Sequence, residues 1–519
     1  MIENLKCSCL QYFWRFVSIA YMNTRSQRSF KNPDMHPSWH VIIFAIGIII
    51  SCIIVNLARP TILNSFLWIL LAIVIFILAI IIAKKWTVTL VVIASFLIIG
   101  TRAGPEFVSQ DYFKNLVGSS VTITGKISKD PTTSESSASK LNIDLVDLKI
   151  SVSSENTENL PGHLFAQIDK MEIQRSDIIS VKGEVSDGFG AYSAAMFRPE
   201  VLNISRPEPG DIFIKIRNNF AEHVRQFIPS PESGLGIGFL LGQKSGIDSK
   251  IQDALRTVGL THIIVASGAH LSSLISISRK IFGKLSRFAS LLAALLAMLM
   301  FLGVTGLSAS MLRASLVTGI SLVLWYFGRK VHPARLIILV AAATLIYNPF
   351  YLTDLSWLLS FASFTGIMIL APMLTKFFYG QKKPGFVSST LITSVSAALI
   401  CSPILLFYFG QISAITILAN ILILPTISIA MGLTFLTGIA AYLIPFAAQV
   451  LGELTKLLID YQITIANFFA ENKSFLIQVE KNNPIVLLLY IPIIVTFCFC
   501  ARKAHQNKQM QYTPAALSP

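Results

Sequence analysis

Acidic residues are almost missing from one long stretch of this chain: between Asp253 and Glu453 the only carboxylate side chain is that of Asp354. Charged residues of both signs make up 13% of the sequence, against about 25% in soluble proteins. With so few charges, 519 residues cannot clothe the two to four soluble cores that such a length suggests. Cysteine is scarce too. Its positions, Cys7, Cys9, Cys52, Cys401, Cys498 and Cys500, leave the polar region 105–250 empty, so no disulfide framework is implied. The CSC and CFC pairs lack a second pair at zinc-site spacing, which leaves small apolar filler as their role. The histidines (His36, His40, His163, His223, His262, His270, His332, His505) form no H-x-H-x-D-H cluster, so no binuclear metal site of that pattern can be built and no cofactor is called for. No cleavable signal is visible, because polar and basic residues 1–38 precede the first apolar run and no small-residue cleavage site follows it.

What is present is apolar length. Hydrophobic residues reach 53% and the mean hydropathy is +0.65, and several runs exceed the roughly 18 residues that span a bilayer. The fold expected is a polytopic α-helical membrane protein with a small external all-β OB-like domain. Residues 1–38 carry Lys6, Arg15, Arg25, Arg28 and Lys31 against Glu3 and Asp34, which by the positive-inside rule makes them a cytoplasmic N-terminal segment. Three crossings follow at 39–58, 62–83 and 86–100, and they put residue 101 outside.

The pattern then changes. Residues 105–210 alternate apolar and polar residues in SVTITGKIS, KLNIDLVDLKIS, HLFAQID, DIISVKGEV and FRPEVLNIS, which reads as five strands of an OB-type barrel. Ten Lys/Arg against fifteen Asp/Glu give this region a net charge of −5, so the rest of the +15 chain carries +20. An acidic barrel is a poor electrostatic funnel for a phosphate backbone. Lys126, Lys129, Lys182 and Arg198 are the candidates for a local phosphate-contacting strip; otherwise they belong to a solvated face.

Residues 211–228 place Ile212, Ile216, Phe220, Val224 and Phe227 at helical spacing, as an amphipathic interfacial helix lying along the outer membrane surface requires. From 231 to 501, basic loops recur at 279–287, 328–335 and 376–383 and after Arg502. Read as inside loops, they give crossings near 258–279, 288–306, 308–327, 335–347, 351–374, 386–409, 411–424, 426–445 and 484–501, with a cytoplasmic tail at 502–519. The short runs 335–347 and 411–424 read as broken or re-entrant segments, tolerated only against protein or a cavity.

Within that region, GLTHIIVASGAHLSSL (259–274) is apolar enough for a membrane yet carries His262, His270, several hydroxyl residues and two glycines. Unpaired histidines are costly in hydrocarbon, so this stretch faces protein or a water-filled path, whether as a packing seam or as a site. Arg313 and Asp354 are single charges inside their spans, and an ion pair between them would lower the cost of each.

Four strings in this order and spacing, GLTHIIVASGAHLSSL, VTGLSASMLRASLV, NPFYLTDLSWLLSFAS and PILLFYFGQISAITILANILILP, resemble the ComEC-type family of competence DNA-internalisation channels. The resemblance covers most of residues 105–430. It implies an inner-membrane, multi-pass channel with both termini cytoplasmic and the OB-like domain outside, which passes one strand of incoming DNA into the cytoplasm. The positions that match the family are His262, Ser267, Gly268, His270, Arg313, Asp354, Ser360, Asn420 and Pro425. The chain departs from the family at Ala269 and at Ser356, Trp357 and Leu358, which bears on the polar lining near Asp354. Many members carry a C-terminal metallo-β-lactamase-like domain; this sequence has no such motif, so the chain is expected not to be an enzyme. The partners expected are single-stranded DNA, membrane lipid, a DNA receptor, a separate nuclease, and a cytoplasmic motor or single-strand-binding protein. Two alternatives stay open. One is an intramembrane hydrolase with Ser267 as nucleophile and His262 or His270 as base. The other is a transporter of another anionic polymer or of a polysaccharide.

Overall fold

The computed structural model describes residues 37–60, 67–82, 87–134, 137–153, 156–207, 210–243, 246–260, 268–329, 332–380, 382–413, 415–471 and 476–492. It opens with helices α1 (Pro37–Ala58), α2 (Leu67–Ile82) and α3 (Thr87–Asn115). The third was expected to stop at Gly100. It continues because Ile99, Ala103 and Phe107 extend one buried stripe at four-residue spacing, and because Phe113 enters the core of the next domain. Pro105 sits inside this helix without ending it. The β domain therefore begins at Ser120, not near residue 105.

Eight strands are described there: β1 (Ser120–Ile127), β2 (Thr132–Ser134), β3 (Ser137–Ser153), β4 (Asn156–Leu160), β5 (Leu164–Asp169), β6 (Ile178–Asp187), β7 (Ala194–Phe197) and β8 (Glu200–Ser205). Five of them close a ring in the order β1-β3-β5-β7-β6 and back to β1, with β5 and β7 parallel and the other neighbours antiparallel. This is a small closed OB-like barrel. Four ring strands are those read from the sequence, and the fifth is not. The run 197–205 was expected to close the barrel, but its alternating part forms β8, which pairs on the flank of β6. The closing strand is β7, whose Ala194, Ala195 and Met196 are all buried and carry no alternation to read. Where β1 bends, Gly125 is required: a Cβ there would lie 3.1 Å from the Leu145 Cβ and 3.2 Å from the Leu148 Cδ2. Val121, Ile123, Ile127, Ile143, Leu145, Leu164 and Val181 fill the interior, each burial contributing about 1.5–3 kcal/mol before entropic losses.

The remaining helices are α4 (Ile212–Phe227), α5 (Glu232–Leu241), α6 (Ser249–Thr257), α7 (Gly268–Phe282), α8 (Arg287–Thr305), α9 (Ala309–Tyr326), α10 (Pro333–Tyr347), α11 (Leu355–Thr365), α12 (Ala371–Tyr379), α13 (Phe386–Phe409), α14 (Ile415–Leu443) and α15 (Pro445–Glu471). One π turn, Gly366–Leu370, joins α11 to α12. Among the described residues, seven helices are long and apolar enough to cross a membrane: Val41–Ala58, Val88–Asn115, Arg287–Thr305, Ala309–Tyr326, Leu355–Tyr379, Phe386–Phe409 and Ile415–Leu443.

The structure merges two of the expected crossings. Most of segments 411–424 and 426–445 is one helix, α14, which runs through Pro425, while Gln411–Ser413 is extended; a proline removes one donor, and packing against neighbouring helices makes this tolerable. Of segment 258–279, Gly259 takes φ +80° just past the end of α6, residues 261–267 lie outside the described residues, and α7 is described from Gly268. Of 484–501, Pro484–Leu489 is a 3-10 turn followed by helical residues 490–492, and the rest of that expected crossing lies outside the described residues.

Helix α4 is amphipathic as expected, but its buried face meets protein. The Phe213 ring lies over Gly303 of α8 and the Phe220 ring over Gly438 of α14, each filling the space a Cβ would need. Asp211 caps the helix and accepts from Arg175 at 3.0 Å, while Arg175 also donates to the Gly303 carbonyl at 2.7 Å. Arg217, 4% exposed, forks onto the Asp130 carboxylate of the barrel. Helix α4 is thus a strut that ties barrel to bundle, with Ile212 and Ile216 left exposed on its outer side.

Candidate functional site

The barrel presents an aromatic shelf. Outward positions of β5 and β7 carry Phe165 and Phe197, and the β6–β7 loop adds Phe189 and Tyr192; ring centroids from Phe165 are 5.1 Å to Phe189, 5.5 Å to Tyr192 and 6.0 Å to Phe197. Phe189 and Phe197 are 48% and 55% exposed. Large aromatic side chains left in water on a sheet face are unusual in a folded domain and make a stacking surface for flat ligands. Sequence reading missed the shelf because its members come from two strands, β5 and β7, and from the Gly-rich loop DGFGAYS between β6 and β7, which reads as a turn.

Beside the shelf lies a buried ion cluster. Asp144, 4% exposed, accepts from Lys129 Nζ at 2.7 Å and from His163 Nδ1 at 2.9 Å. Burial alone would raise the Asp144 carboxyl, but the hydrogen bond from His163 and the charge of Lys129 outweigh it and hold the carboxyl below its usual value. Burial likewise opposes the charged form of His163, and the Asp144 carboxylate overrides it, moving the imidazole up. Of the four basic candidates, Lys129 is therefore committed to Asp144. Arg198 follows Phe197 at the shelf's edge, at φ +58°. Lys126 and Lys182 point outward from β1 and β6, where Lys182 pairs in register with Glu200, so the four do not form one strip.

Tyr192 leads from the shelf to the bundle. Its neighbour Ala191 packs in the core cluster that holds Phe350, Tyr351 and Leu352, which places the barrel loop next to Asp354. Asp354 is not inside a span. It caps α11, accepting from the Trp357 amide at 2.9 Å. The expected Arg313–Asp354 pair does not form, because Asp354 faces the barrel end of α11 while Arg313 meets that helix further along, donating to the Ser360 carbonyl and lying 5.3 Å from the Phe364 ring.

Arg313 is the polar centre of the bundle. Its Nε is shut off from solvent without a partner, and no carboxylate among the described residues pairs with it. Its Nη2 lies 3.4 Å from the position a Cβ would take on Gly268, the first residue of α7, with the Ala314 Cβ at 3.2 Å. A guanidinium thus sits against the first described turn of α7. Hydroxyls continue from it: Ser310 and Ser360 are 3.2 Å apart, and Ser273 of α7 and Ser428 of α14 are 3.3 Å apart. His270 is 4% exposed, with its ring 6.3 Å from that of Phe239. Asn420, 8% exposed, has an unpartnered Oδ1, and Pro425 lies one turn further along α14. His262 and Ser267 lie outside the described residues. Among the described residues, no group of three or more His, Cys, Asp or Glu could hold a metal ion.

Fold and site together define a polytopic membrane protein whose helical bundle carries an OB-like barrel at one end, with an aromatic shelf on the barrel and a lone cation in the bundle. The chain belongs to the ComEC-type competence protein family: the model described as Competence protein matches residues 239–504. It is 26% identical over 323 residues to ComE operon protein 3 of Bacillus subtilis (strain 168), a match that covers 60% of this chain and 40% of that relative. No solved structure matches the chain.

Proposed function

We propose that the chain takes part in competence DNA uptake as a membrane conduit that passes single-stranded DNA into the cytoplasm. One observation carries this reading: among the described residues Arg313 stands in the bundle with no carboxylate partner, against Gly268 of α7, on a hydroxyl-bearing seam. An unpaired charge among spanning helices is expensive, and a passing phosphodiester is a counter-ion that would neutralise it for as long as the strand is in transit. Helix α11 links the two ends of the route, from Asp354 next to the barrel loop to Ser360 and Phe364 beside Arg313. At the barrel, stacking on Phe165, Phe189, Tyr192 and Phe197 suits unpaired bases of any sequence, so the acidic domain can receive a strand without relying on charge.

In this reading the basic loops lie inside an inner membrane, the termini are cytoplasmic and the barrel is outside. The chain acts as a conduit and not as an enzyme, so a DNA receptor, a separate nuclease and a cytoplasmic motor or single-strand-binding protein complete the pathway. The test follows fluorescent DNA in competent cells lacking the chain. Label should stay outside the cytoplasm and arrive there once the chain is restored from a plasmid. Cytoplasmic label at wild-type levels without the chain would overturn the reading.

A further inference from the structure

Strand register sets out the outer face of the barrel sheet in rows. Phe165 of β5 stands between Asp144 of β3 and Ala195 of β7. Two residues along, the next row crosses four strands: Thr132 of β2 opposite Asn142 of β3, Asn142 opposite Gln167 of β5, and Gln167 beside Phe197 of β7. Residues paired in register share a face of the sheet, as do residues two apart on one strand. A hydroxyl, two amides and an exposed ring therefore lie side by side, and the Phe197 ring is 6.0 Å from that of Phe165. The row after that sets Lys140 opposite Asp169.

The amide row is uncharged and lies between two rows whose charges are matched, since Asp144 is already held by Lys129 and His163. Its amides are also oriented. Gln167 Nε2 donates to Asn142 Oδ1 at 3.2 Å, so the Asn142 oxygen faces β5, and the two N–H groups of its Nδ2 have no acceptor among the described residues. Thr132, Asn142 and Gln167 are half-buried, which leaves their outer edges open to a ligand lying on the rings. Arg198 follows Phe197, is exposed, and donates its backbone N–H to the Gln167 carbonyl at 2.9 Å, which brings a cation to the end of the row. A ring grips the flat face of a base, which all bases share; an amide grips the edge, where bases differ. Here the two stand one strand spacing apart.

We propose that Asn142, held in place by Gln167, reads the edge of a base stacked on Phe197: its N–H groups donate to a carbonyl or ring-nitrogen acceptor of the base, while Arg198 meets the adjoining phosphate. The inference rests on the shelf receiving a single strand, as proposed above, and adds to that reading a contact that depends on what the base edge offers. Stacking alone admits any flat group. The amide row distinguishes a nucleobase from an apolar ring of the same shape, because a half-buried amide is satisfied by the first and left unpaired by the second.

The test compares two labelled single strands of equal length and charge, one of thymidines and one in which difluorotoluene replaces every thymine, keeping its shape and stacking face but not its hydrogen-bonding edge. Binding to the full chain in lipid nanodiscs is read by fluorescence anisotropy. The wild type should bind the thymidine strand about fivefold tighter or more. Asn142→Leu should bring the two affinities together, whereas Phe197→Ala should weaken both strands and keep their order. Should Asn142→Leu yield no folded protein, Asn142→Val, better suited to a strand, carries the same readout. Equal affinities in the wild type, or tighter binding of the isostere, overturn edge reading and leave the shelf standing. A difference that survives in the Asn142 variant overturns the assignment to that residue. Binding of neither strand overturns the reading of the shelf, and this inference with it.

Discussion

In the barrel and its strut, the carboxylates of Asp144, Asp177, Asp211 and Asp130 each sit against a cation, whereas in the bundle Arg313 has a backbone carbonyl and an aromatic ring but no carboxylate. The barrel is the wetter region and could have left those charges solvated; it buries several of them and pairs each, because an uncompensated buried ion costs several kcal/mol. The bundle does the reverse, with a single acidic residue in the long stretch around Arg313, and that residue is used to cap a helix. The difference shows two uses of charge. Two of the barrel's pairs, Arg175–Asp211 and Arg217–Asp130, tie it to the strut, whereas among the described residues Arg313 of the bundle has no carboxylate beside it.

The largest effect expected from disturbing this contrast is at the strut. Arg217→Ala leaves Asp130 without its partner at a contact where the guanidinium is 4% exposed and the carboxylate 26%, so the loss should be about 3 kcal/mol, near the lower end for buried pairs. Thermal unfolding of the purified chain should show it, and Asp130→Asn on top should recover part of it; an undiminished midpoint for Arg217→Ala would make the strut's ion pair dispensable. Next come the shelf residues. Phe189→Ala and Phe197→Ala remove exposed rings, so the barrel should stay folded while affinity for a single-stranded oligonucleotide falls by about 1–3 kcal/mol per stacked base, read by fluorescence anisotropy. Equal binding by the double variant would take the shelf out of the account.

Asp354→Ala weakens the cap of α11 by about 1 kcal/mol. Because Asp354 and Arg313 do not meet, its effect and that of Arg313→Gln on stability should add to within about 0.5 kcal/mol. A coupling well above that would restore the ion pair that the sequence suggested. The smallest effect concerns His163. Its pKa is raised on folding, so its contribution is complete below the unfolded value of about 6.5 and fades as pH rises through the folded value. Stability should therefore fall with rising pH above that point in the wild type, and His163→Asn should flatten that part of the curve.

Much of this was legible in the sequence. Long apolar runs and strict alternation are one-dimensional signals, so the spanning helices and four of the five ring strands could be read directly. What failed had no local signature. Ala194, Ala195 and Met196 close the barrel because the space between β5 and β6 admits small residues, which is a property of the closed ring and not of the segment. Pro425 reads as a break, yet packing carries α14 through it. Arg313 and Asp354 are opposite charges in two spans of the same region, which suggests a pair, but only the placement of Asp354 at the end of its helix shows that they lie at different depths. The aromatic shelf was invisible for a related reason: its four rings come from two strands and a loop that converge only once the barrel closes.

The role of the lone Arg313 is decided by Arg313→Gln, with stability and import measured on the same variant. Glutamine can still donate to the Ser360 carbonyl, and the substitution removes a charge that no carboxylate among the described residues neutralises. The unfolding midpoint should equal or exceed that of the wild type, together with at least about a tenfold loss of DNA import at matched protein level, the equivalent of about 1.4 kcal/mol or more of lost interaction with a phosphate in transit. A variant that is less stable yet imports DNA at the wild-type rate would contradict it, since Arg313 would then be a structural residue with no part in the path.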